Sequence, residues 1–268
     1  MALMYLGTMG FSYNDWESVF YPEGMFSRNY LKHYSKFFNA VEIDSTFYGT
    51  PRLGTIRSWV GVTPQDFKIC VKTPRRITHD LMLEDANDEM NGFLKVIKNL
   101  GDKLGVILIQ FPPSFTLLKF AKRLEEFLYH LRFRLEGGDD LRFAVEFRHF
   151  SWYTDFTAEM LRNYRVCWVT TEYPNLPQDI NRTSDFLYIR WIGQHGTYMH
   201  HDQEREDKTQ KLEQWWESIK EQIDDVNAIY GFFNNDYSGH APATCNRFRS
   251  VIGLPTKNLK PSQQTSLF

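Results

Sequence analysis

The sequence predicts an α/β fold, a TIM-type barrel of eight parallel strands with surrounding helices, one of which is missing or irregular. The chain of 268 residues is close to the roughly 250 typical of one such barrel. Eight short runs rich in β-branched and aromatic residues follow one another, and helical patterns separate most of them. The same alternation is compatible with an open doubly wound sheet, which is the structural alternative.

The predicted strands are short, and most are followed by enough chain for a helix. In order they are Met4–Met9, Ala40–Thr46, Phe67–Lys72, Leu104–Phe111, Leu141–Arg148, Arg165–Thr171, Phe186–Ile192 and Asn227–Asn234. Apolar residues at helical spacing predict the helices between them. These helices are Asn29–Phe38, Glu89–Leu100, Leu118–Leu135, Thr157–Asn163 and Lys208–Gln222. The link TEYPNLP, between the sixth and seventh strands, predicts a loop or one helical turn.

Composition predicts one globular domain over residues 1–255 and a flexible polar tail over 256–268. No apolar run approaches the ~20 residues of a membrane span. Cys70, Cys167 and Cys245 have neither metal-ligand nor disulfide spacing. We therefore expect a cytoplasmic protein that contacts no membrane.

Charge and motifs exclude several classes of function. The net charge of -2 gives no overall attraction to a polyanion, so a nucleic-acid site would need a local basic patch. Glycine-rich phosphate loops and the GxSxG nucleophile motif are absent. His200 and His201, followed by Asp202, superficially resemble metal ligands, but adjacent strand residues point apart. We expect neither a metal nor a cofactor.

The clearest functional signal is the polar residue that repeatedly ends the inward face of a strand. Side chains alternate across a strand, so Val41 and Ile43 face the helices while Glu42 and Asp44 face the barrel axis. The inward polar set at the strand ends comprises Glu42, Asp44, Lys72, Gln110, Glu146, Arg148, Arg190 and Asn234. Barrel enzymes build their sites at this end, so the sequence predicts a charged pocket there.

The residue types in this pocket indicate two kinds of role. Cations suit an anionic ligand, because Arg forks match carboxylate or phosphate oxygens and Lys supplies a compact charge; the three are Lys72, Arg148 and Arg190. Titratable groups suit acid or base chemistry; the candidates are Glu42, Asp44, Glu146 and His240. A structural salt-bridge network that closes the end of the barrel is the alternative.

Two further features lie in loops and in the tail. Tyr13, Trp16, Trp152 and Tyr237 are candidates for an aromatic wall at the open face, although Trp16 and Trp152 also suit a buried anchor. In the tail, Gln264, Leu267 and Phe268 resemble the peptides by which DNA-processing proteins dock on sliding clamps. A polar tail that ends in Leu-Phe by chance is the alternative.

Several motifs occur in a fixed order along the chain. They are GTMGFSYNDW, FYPEG, FNAVEIDSTFYGTP, VKTPRRITH, LIQFPPSF, VEFRHFSW, YIRWIG and FFNNDYSGHAP. Together they resemble the YecE-like family, domain-of-unknown-function family seventy-two, over nearly the whole core. The resemblance implies a barrel and the same strand-end site, but no established reaction. To that site it adds Phe47, Tyr48, His79, Pro112, Pro113, Trp152, Asn235, Gly239 and His240.

Comparison with endonuclease IV and sugar isomerase barrels rests on the predicted fold alone. Those sites look rich in metal ligands, whereas Lys and Arg occupy the corresponding strand ends here. Metal-dependent cleavage is therefore not expected.

Three functions remain open at this stage, and the sequence does not rank catalysis above binding. The leading hypothesis is a metal-independent site for a phosphate-bearing ligand, either a small anion or nucleic acid, held by Lys72, Arg148 and Arg190. The second is a carbohydrate hydrolase in which Glu42 and Glu146 flank a sugar, at a carboxyl separation of about 5 Å or of roughly 6.5 to 9.5 Å. The third is a noncatalytic binding module that its tail recruits to a partner.

Overall fold

The computed structural model of the protein describes residues 2–136 and 141–261. Its strands are β1 (Leu3–Thr8), β2 (Ala40–Ile43), β3 (Lys68–Lys72), β4 (Leu104–Gln110), β5 (Arg142–Glu146), β6 (Cys167–Trp168), β7 (Thr170–Glu172), β8 (Phe186–Trp191) and β9 (Ala228–Phe233). β1, β9, β8 and β7 form one parallel sheet in that order, and β2 to β6 form a second. The predicted α/β class with parallel strands is confirmed.

The helices surround the strands. They are α1 (Tyr30–Tyr34), α2 (Leu53–Val62), α3 (Asn87–Ile97), α4 (Leu117–Glu136), α5 (Asp155–Asn163), α6 (Thr209–Lys220) and α7 (Ala241–Val251). No helix lies between β7 and β8, as the sequence predicts. α2 and α7 are additional to the predicted helices. α2 contains two glycines and has low helix propensity, so the burial of Ile56 and Trp59 must stabilise it.

The sixth predicted strand, Arg165–Thr171, is divided in two. β6 pairs with β5, whereas β7 pairs with β8, and Val169 lies between them. The chain therefore passes from one sheet to the other within a few residues. This division replaces the predicted single ladder of eight strands by two sheets of four and five strands.

The sheets meet a second time between β1 and β2, where a tyrosine hydroxyl takes the place of ladder hydrogen bonds. Tyr34 accepts a hydrogen bond from the Thr8 amide at 2.8 Å and donates one to the Ala40 carbonyl at 3.0 Å. A Cβ at Gly7 would lie 2.0 Å from the Ala40 oxygen, so only glycine permits this approach. Beyond it, the Gly10 amide donates to the Glu42 carbonyl at 2.7 Å.

The alternation of side chains separates two apolar regions. Val41, Ile43 and their neighbours on adjacent strands pack towards the helices in the larger cluster. A smaller cluster, on the opposite faces of the strands, includes Leu108, Tyr188 and Phe232. Polar side chains continue this inner face at the carboxyl ends of the strands, where the candidate site lies.

The helix lengths and the described start of the tail bear on the predicted membrane contact and the predicted tail. In the part of the chain with described structure, no helix is both long and apolar enough to cross a bilayer. The first residues of the predicted tail are attached to α7, because Asn246 exchanges hydrogen bonds with the Lys257 backbone at 3.0 and 3.2 Å. Gln264, Leu267 and Phe268 lie outside the described residues, so clamp docking stays a prediction.

Lys103 is a buried cation whose role is structural. Its ammonium donates to the carbonyls of Val60 and Thr63 at 2.7 and 2.6 Å, at the carboxyl end of α2. Lys103→Met is expected to destabilise the protein by about 1.5–3 kcal/mol, because each carbonyl loses a charged donor. Urea unfolding measures this, with the exposed Lys95→Met as the control. Equal stability of the two variants would contradict this role.

Candidate functional site

Arg190 joins two carboxylates of one sheet to a strand of the other. β8 directs its side chain inward, where only 4% of it is exposed. Its Nε and Nη2 donate to the two oxygens of Glu42 at 3.0 and 2.7 Å, and its Nη1 donates to Glu146 at 2.5 Å. Both carboxylates are fully buried. One guanidinium therefore links the ends of β2, β5 and β8.

Further side chains complete this network. Arg148 donates through Nε to the second oxygen of Glu146, and its guanidinium lies 4.0 Å from the centre of the Tyr173 ring. The Tyr188 hydroxyl donates to Glu42 at 2.6 Å. Asp44 Oδ1 lies 3.8 Å from Arg190 Nη2. The inward charged residues that the sequence predicts at β2, β5 and β8 thus contact one another.

The pKa values of the two glutamates are shifted in opposite directions. Burial alone would raise the pKa of Glu146, but the charges of Arg148 and Arg190 outweigh burial and lower that pKa to about 2. Burial raises the pKa of Glu42 to about 7 against the opposing charge of Arg190. Glu146 is therefore an ionised anchor for two guanidinium groups rather than a proton donor at neutral pH.

This pairing bears on the hypothesis of a carbohydrate hydrolase. Glu42 and Glu146 hydrogen-bond to the same guanidinium, so Arg190 occupies the space between them. A hydrolase needs its two carboxyl groups on either side of the sugar bond that is cleaved. The geometry instead matches the structural salt-bridge alternative for these two residues.

Lys72 and His79 form a second polar group beside the network. The Lys72 amine lies 4.1 Å from the centre of the Phe47 ring, and it makes neither an ion pair nor a hydrogen bond with the described residues. Burial, and then the charge of Arg190, lower the pKa of Lys72. Burial and the charge of Lys72 lower the pKa of His79 to about 4, so its ring is neutral at pH 7.

Gln110 and Asn234 lie at strand ends close to the network. Gln110 pairs in register with Glu146, and its Nε2 donates to the Phe111 carbonyl at 2.6 Å. Asn234 accepts a hydrogen bond from the Asp236 amide at 2.9 Å and so starts a short 3-10 helix. Both positions agree with the inward alternation, but both side chains already have a backbone partner.

Trp152 corrects the expectation of an aromatic wall. Its side chain is fully buried, stacks on Phe147 at 4.4 Å between ring centres, and donates to the Phe115 carbonyl at 2.6 Å. Trp16 is equally buried. These indoles belong to the core and are inaccessible to a ligand. Tyr48 differs, since it is 87% exposed at the rim of the site.

Asn235 and His240 also occupy structural positions. Asn235 Oδ1 accepts hydrogen bonds from Trp16 Nε1 at 3.2 Å and from the Ala241 amide at 3.0 Å, which fixes the start of α7. His240 is 4% exposed and packs edge-on against Trp16. Burial lowers its pKa to about 4. Both side chains are almost fully buried, which corrects their expected position in an open pocket.

Sequence reasoning gave no role to several residues of the site. Tyr173 stacks under Arg148, Tyr188 binds Glu42, and the Met9 sulfur lies 3.5 Å from Arg190 Nη2. Inward alternation identifies Tyr188, whereas the Tyr173 contact depends on a loop path that no sequence pattern predicts. Within residues 2–136 and 141–261, no three His, Cys, Asp or Glu side chains are arranged to hold a metal ion.

Comparison with known proteins assigns the chain to a family. The family model described as Protein of unknown function DUF72 matches residues 5–267. UPF0759 protein YunF of Bacillus subtilis strain 168 is 25% identical over 292 aligned positions, which cover 97% of this chain and 99% of YunF. UPF0759 protein YecE of Escherichia coli K12 is 29% identical over 147 positions, covering 55% of this chain and 49% of YecE.

Solved structures give the same assignment. The DUF72 family protein TM1631 of Thermotoga maritima MSB8 is 32% identical with a TM-score of 0.76, and the alignment covers 94% of this chain and 99% of that one. A GH5 cellulase from an Icelandic hot spring isolate aligns at a TM-score of 0.54 and 9% identity over 99% of this chain and 91% of its own, a likeness of fold alone. The resemblance inferred from the motifs is confirmed, and this chain belongs to the DUF72 family of proteins of unknown function.

Proposed function

We propose that the carboxyl ends of the strands bind a phosphate-bearing ligand, either a small anion or the backbone of a nucleic acid, between Arg148 and Lys72. The observation that carries the proposal is the set of donors left over by the salt-bridge network. Arg148 uses only Nε within the described structure, so its two Nη groups stay available. Lys72 has no carboxylate partner there. Both residues are partly exposed.

Arg190 has a different role in this proposal from the two other cations. Its three nitrogens already donate to Glu42 and Glu146, and its side chain is almost fully buried. It positions Glu146. Glu146 in turn accepts a hydrogen bond from Arg148 Nε, which leaves the two Nη groups of Arg148 without a carboxylate partner among the described residues. A bidentate Arg contact and a Lys point charge then suit phosphate oxygens.

The proposal includes closure of the two sheets into one barrel. Support comes from the Tyr34 hydroxyl between β1 and β2, from the bridge between Met9 and Glu42, and from the short passage at Val169. Further support comes from Arg190, which contacts glutamates on β2 and β5 although its own strand belongs to the other sheet. In a closed barrel these three strand ends surround one axis.

The affinity of Arg148→Ala for phosphate ligands tests the proposal. We expect a loss of about tenfold or more, because a charge-assisted hydrogen bond contributes about 1.5–3 kcal/mol. Calorimetry with inorganic phosphate and fluorescence anisotropy with labelled single-stranded, duplex and abasic DNA and with RNA measure it, the latter at two salt concentrations. Binding to nucleic acid would weaken steeply with salt, whereas binding of small phosphate alone would indicate the small-anion case.

Arg182→Ala is the matched control for this experiment. Its side chain is 44% exposed and forms an ion pair with Asp225. The two residues precede β8 and β9, so they lie towards the amino ends of these strands, whereas the site lies at the carboxyl ends. Equal affinity of the Arg148→Ala and wild-type proteins, or an equal loss in Arg182→Ala, would contradict the proposal.

A further inference from the structure

We propose that Lys72 forms an imine with a carbonyl group of the bound anion, so that the ligand class is an aldehyde or ketone that carries a phosphate or carboxylate. This inference rests on the proposed function, because the anion site would hold the carbonyl group against the amine. It adds a covalent step that binding alone does not require.

The first observation is a lysine amine without a partner inside a charged site. Lys72 ends β3, and its backbone is fixed, since the Thr46 hydroxyl donates to its carbonyl at 2.7 Å. The amine itself contacts only the Phe47 ring among the described residues. A lysine whose role is to balance charge would contact one of the nearby carboxylates, and this amine contacts none within 4.0 Å.

Lys103 provides an internal comparison. Its ammonium is also buried, but it donates to the carbonyls of Val60 and Thr63 and is fully used in structure. In the part of the chain that the structure describes, Lys72 has no such acceptors, and Arg190 adds a second positive charge beside it. Burial and that charge lower the pKa of Lys72, which increases the fraction of neutral amine, the form that attacks a carbonyl.

The second observation is a carboxylate suited to move the proton. Asp44 follows Ile43, and Ile43 pairs in register with Val71, so Asp44 and Lys72 come next on neighbouring strands. Asp44 Oδ1 is buried and has no hydrogen-bond donor among the described residues, while the side chain as a whole is 35% exposed. This oxygen therefore has room for a hydrogen-bond donor beside the amine.

The reaction needs no oxidant or reductant, and water is its only small-molecule participant besides the carbonyl compound. The lone pair of the neutral Lys72 amine forms a C–N bond to the carbonyl carbon, and the C=O π pair moves to the oxygen. The Asp44 carboxylate lies more than 4.0 Å from the amine, so a water molecule carries a proton from the nitrogen to Asp44, and its return to the oxygen gives a carbinolamine. A second proton transfer along the same route releases that oxygen as water while the nitrogen lone pair forms the C=N bond. Amine and carbonyl become imine and water.

Reductive trapping tests the inference. Wild-type protein is incubated with pyruvate or with dihydroxyacetone phosphate, and borohydride then reduces any imine to a stable secondary amine. Intact mass and peptide mapping give the extent and the position of the adduct. We expect one adduct, on Lys72, formed faster than any adduct on a surface lysine, since the lowered pKa of Lys72 leaves more of its amine neutral. Inorganic phosphate is expected to slow its formation.

Two variants separate this inference from the proposed function. Lys72→Arg keeps a positive charge and removes the amine, so we expect it to lose the adduct. Lys122→Arg, at a side chain that is 90% exposed, is expected to keep the adduct. Wild-type labelling no greater than that of Lys72→Arg, or adducts spread over surface lysines, would overturn the imine. Calorimetry measures the binding of inorganic phosphate to the wild-type protein without any carbonyl compound. Absence of that binding would count against the proposed function instead.

Discussion

Replacing Arg190 with methionine is expected to destabilise the protein by about 3–5 kcal/mol. The reason is the position of Glu42 and Glu146, which are fully buried and share this one guanidinium. Without it, Glu42 retains only the Tyr188 hydroxyl as a donor among the described residues, and Glu146 retains only Arg148. Two carboxylates would then lie in a low-dielectric interior with too little positive charge. Urea unfolding at neutral pH measures the loss.

The controls for this variant separate lost charge from lost volume. Glu42→Gln combined with Arg190→Met is expected to recover part of the stability, because a neutral amide costs less to bury without a cation. Arg148→Met removes the more exposed partner of Glu146 and is expected to cost less than Arg190→Met. A loss for Arg190→Met no larger than that of a surface ion pair, about 0–1 kcal/mol, would contradict this account.

The inward direction of the charged residues could be predicted from the sequence, because side chains alternate with a fixed period of two along a strand. That rule correctly places Glu42, Glu146 and Arg190 on the inner face. It does not predict which of them touch, because contact across the sheets depends on how β1 meets β2 and where the sixth strand divides. Both of those features depend on tertiary packing around Tyr34 and Val169.

Loop residues were harder to predict than strand residues. Trp152 follows β5 in a segment that also contains polar residues, and nothing in its local sequence separates a ligand wall from a core anchor. Its burial depends on Phe115, more than thirty positions earlier, whose carbonyl accepts the indole hydrogen bond. α2 was missed for a related reason, since its glycines disfavour a helix locally while Ile56 and Trp59 stabilise it by packing.

The salt-bridge network depends on the charge of Glu146. Glu146 accepts hydrogen bonds from Arg190 and from Arg148, so its charge holds both guanidinium groups in place. Protonation would remove an acceptor and release Arg148 towards solvent. The proposed anion site therefore depends on an ionised Glu146. The same charge makes the stability of the protein depend on pH.

The loss of stability at acid pH is expected to reflect the protonation of Glu146. The folded pKa is about 2 and the ordinary value is 4.5, so the unfolded chain binds more protons between these values. The stabilisation is complete above about pH 4.5 and is lost as the pH falls towards about 2, with a span of up to about 3 kcal/mol. Glu42 has the opposite sign. Its pKa is raised to about 7, so its contribution is complete below 4.5 and is lost as the pH rises through 7.

Glu146→Gln and Glu42→Gln should therefore change opposite limbs of the curve. Urea unfolding from about pH 3 to about pH 8 gives the free energy of unfolding for each variant, and the difference from wild type at each pH isolates one carboxylate. His79 and His240, whose pKa values burial lowers to about 4, also remove stability as the pH falls, but they do so equally in all three proteins. A difference curve for Glu146→Gln that is flat below about pH 4.5 would mean that the two arginines do not hold this carboxylate ionised. A free energy of unfolding that decreases more for the wild type than for Glu146→Gln as the pH falls below about 4.5 would support the charged Glu146. The orientation of Arg148, and with it the anion site, depends on that charge.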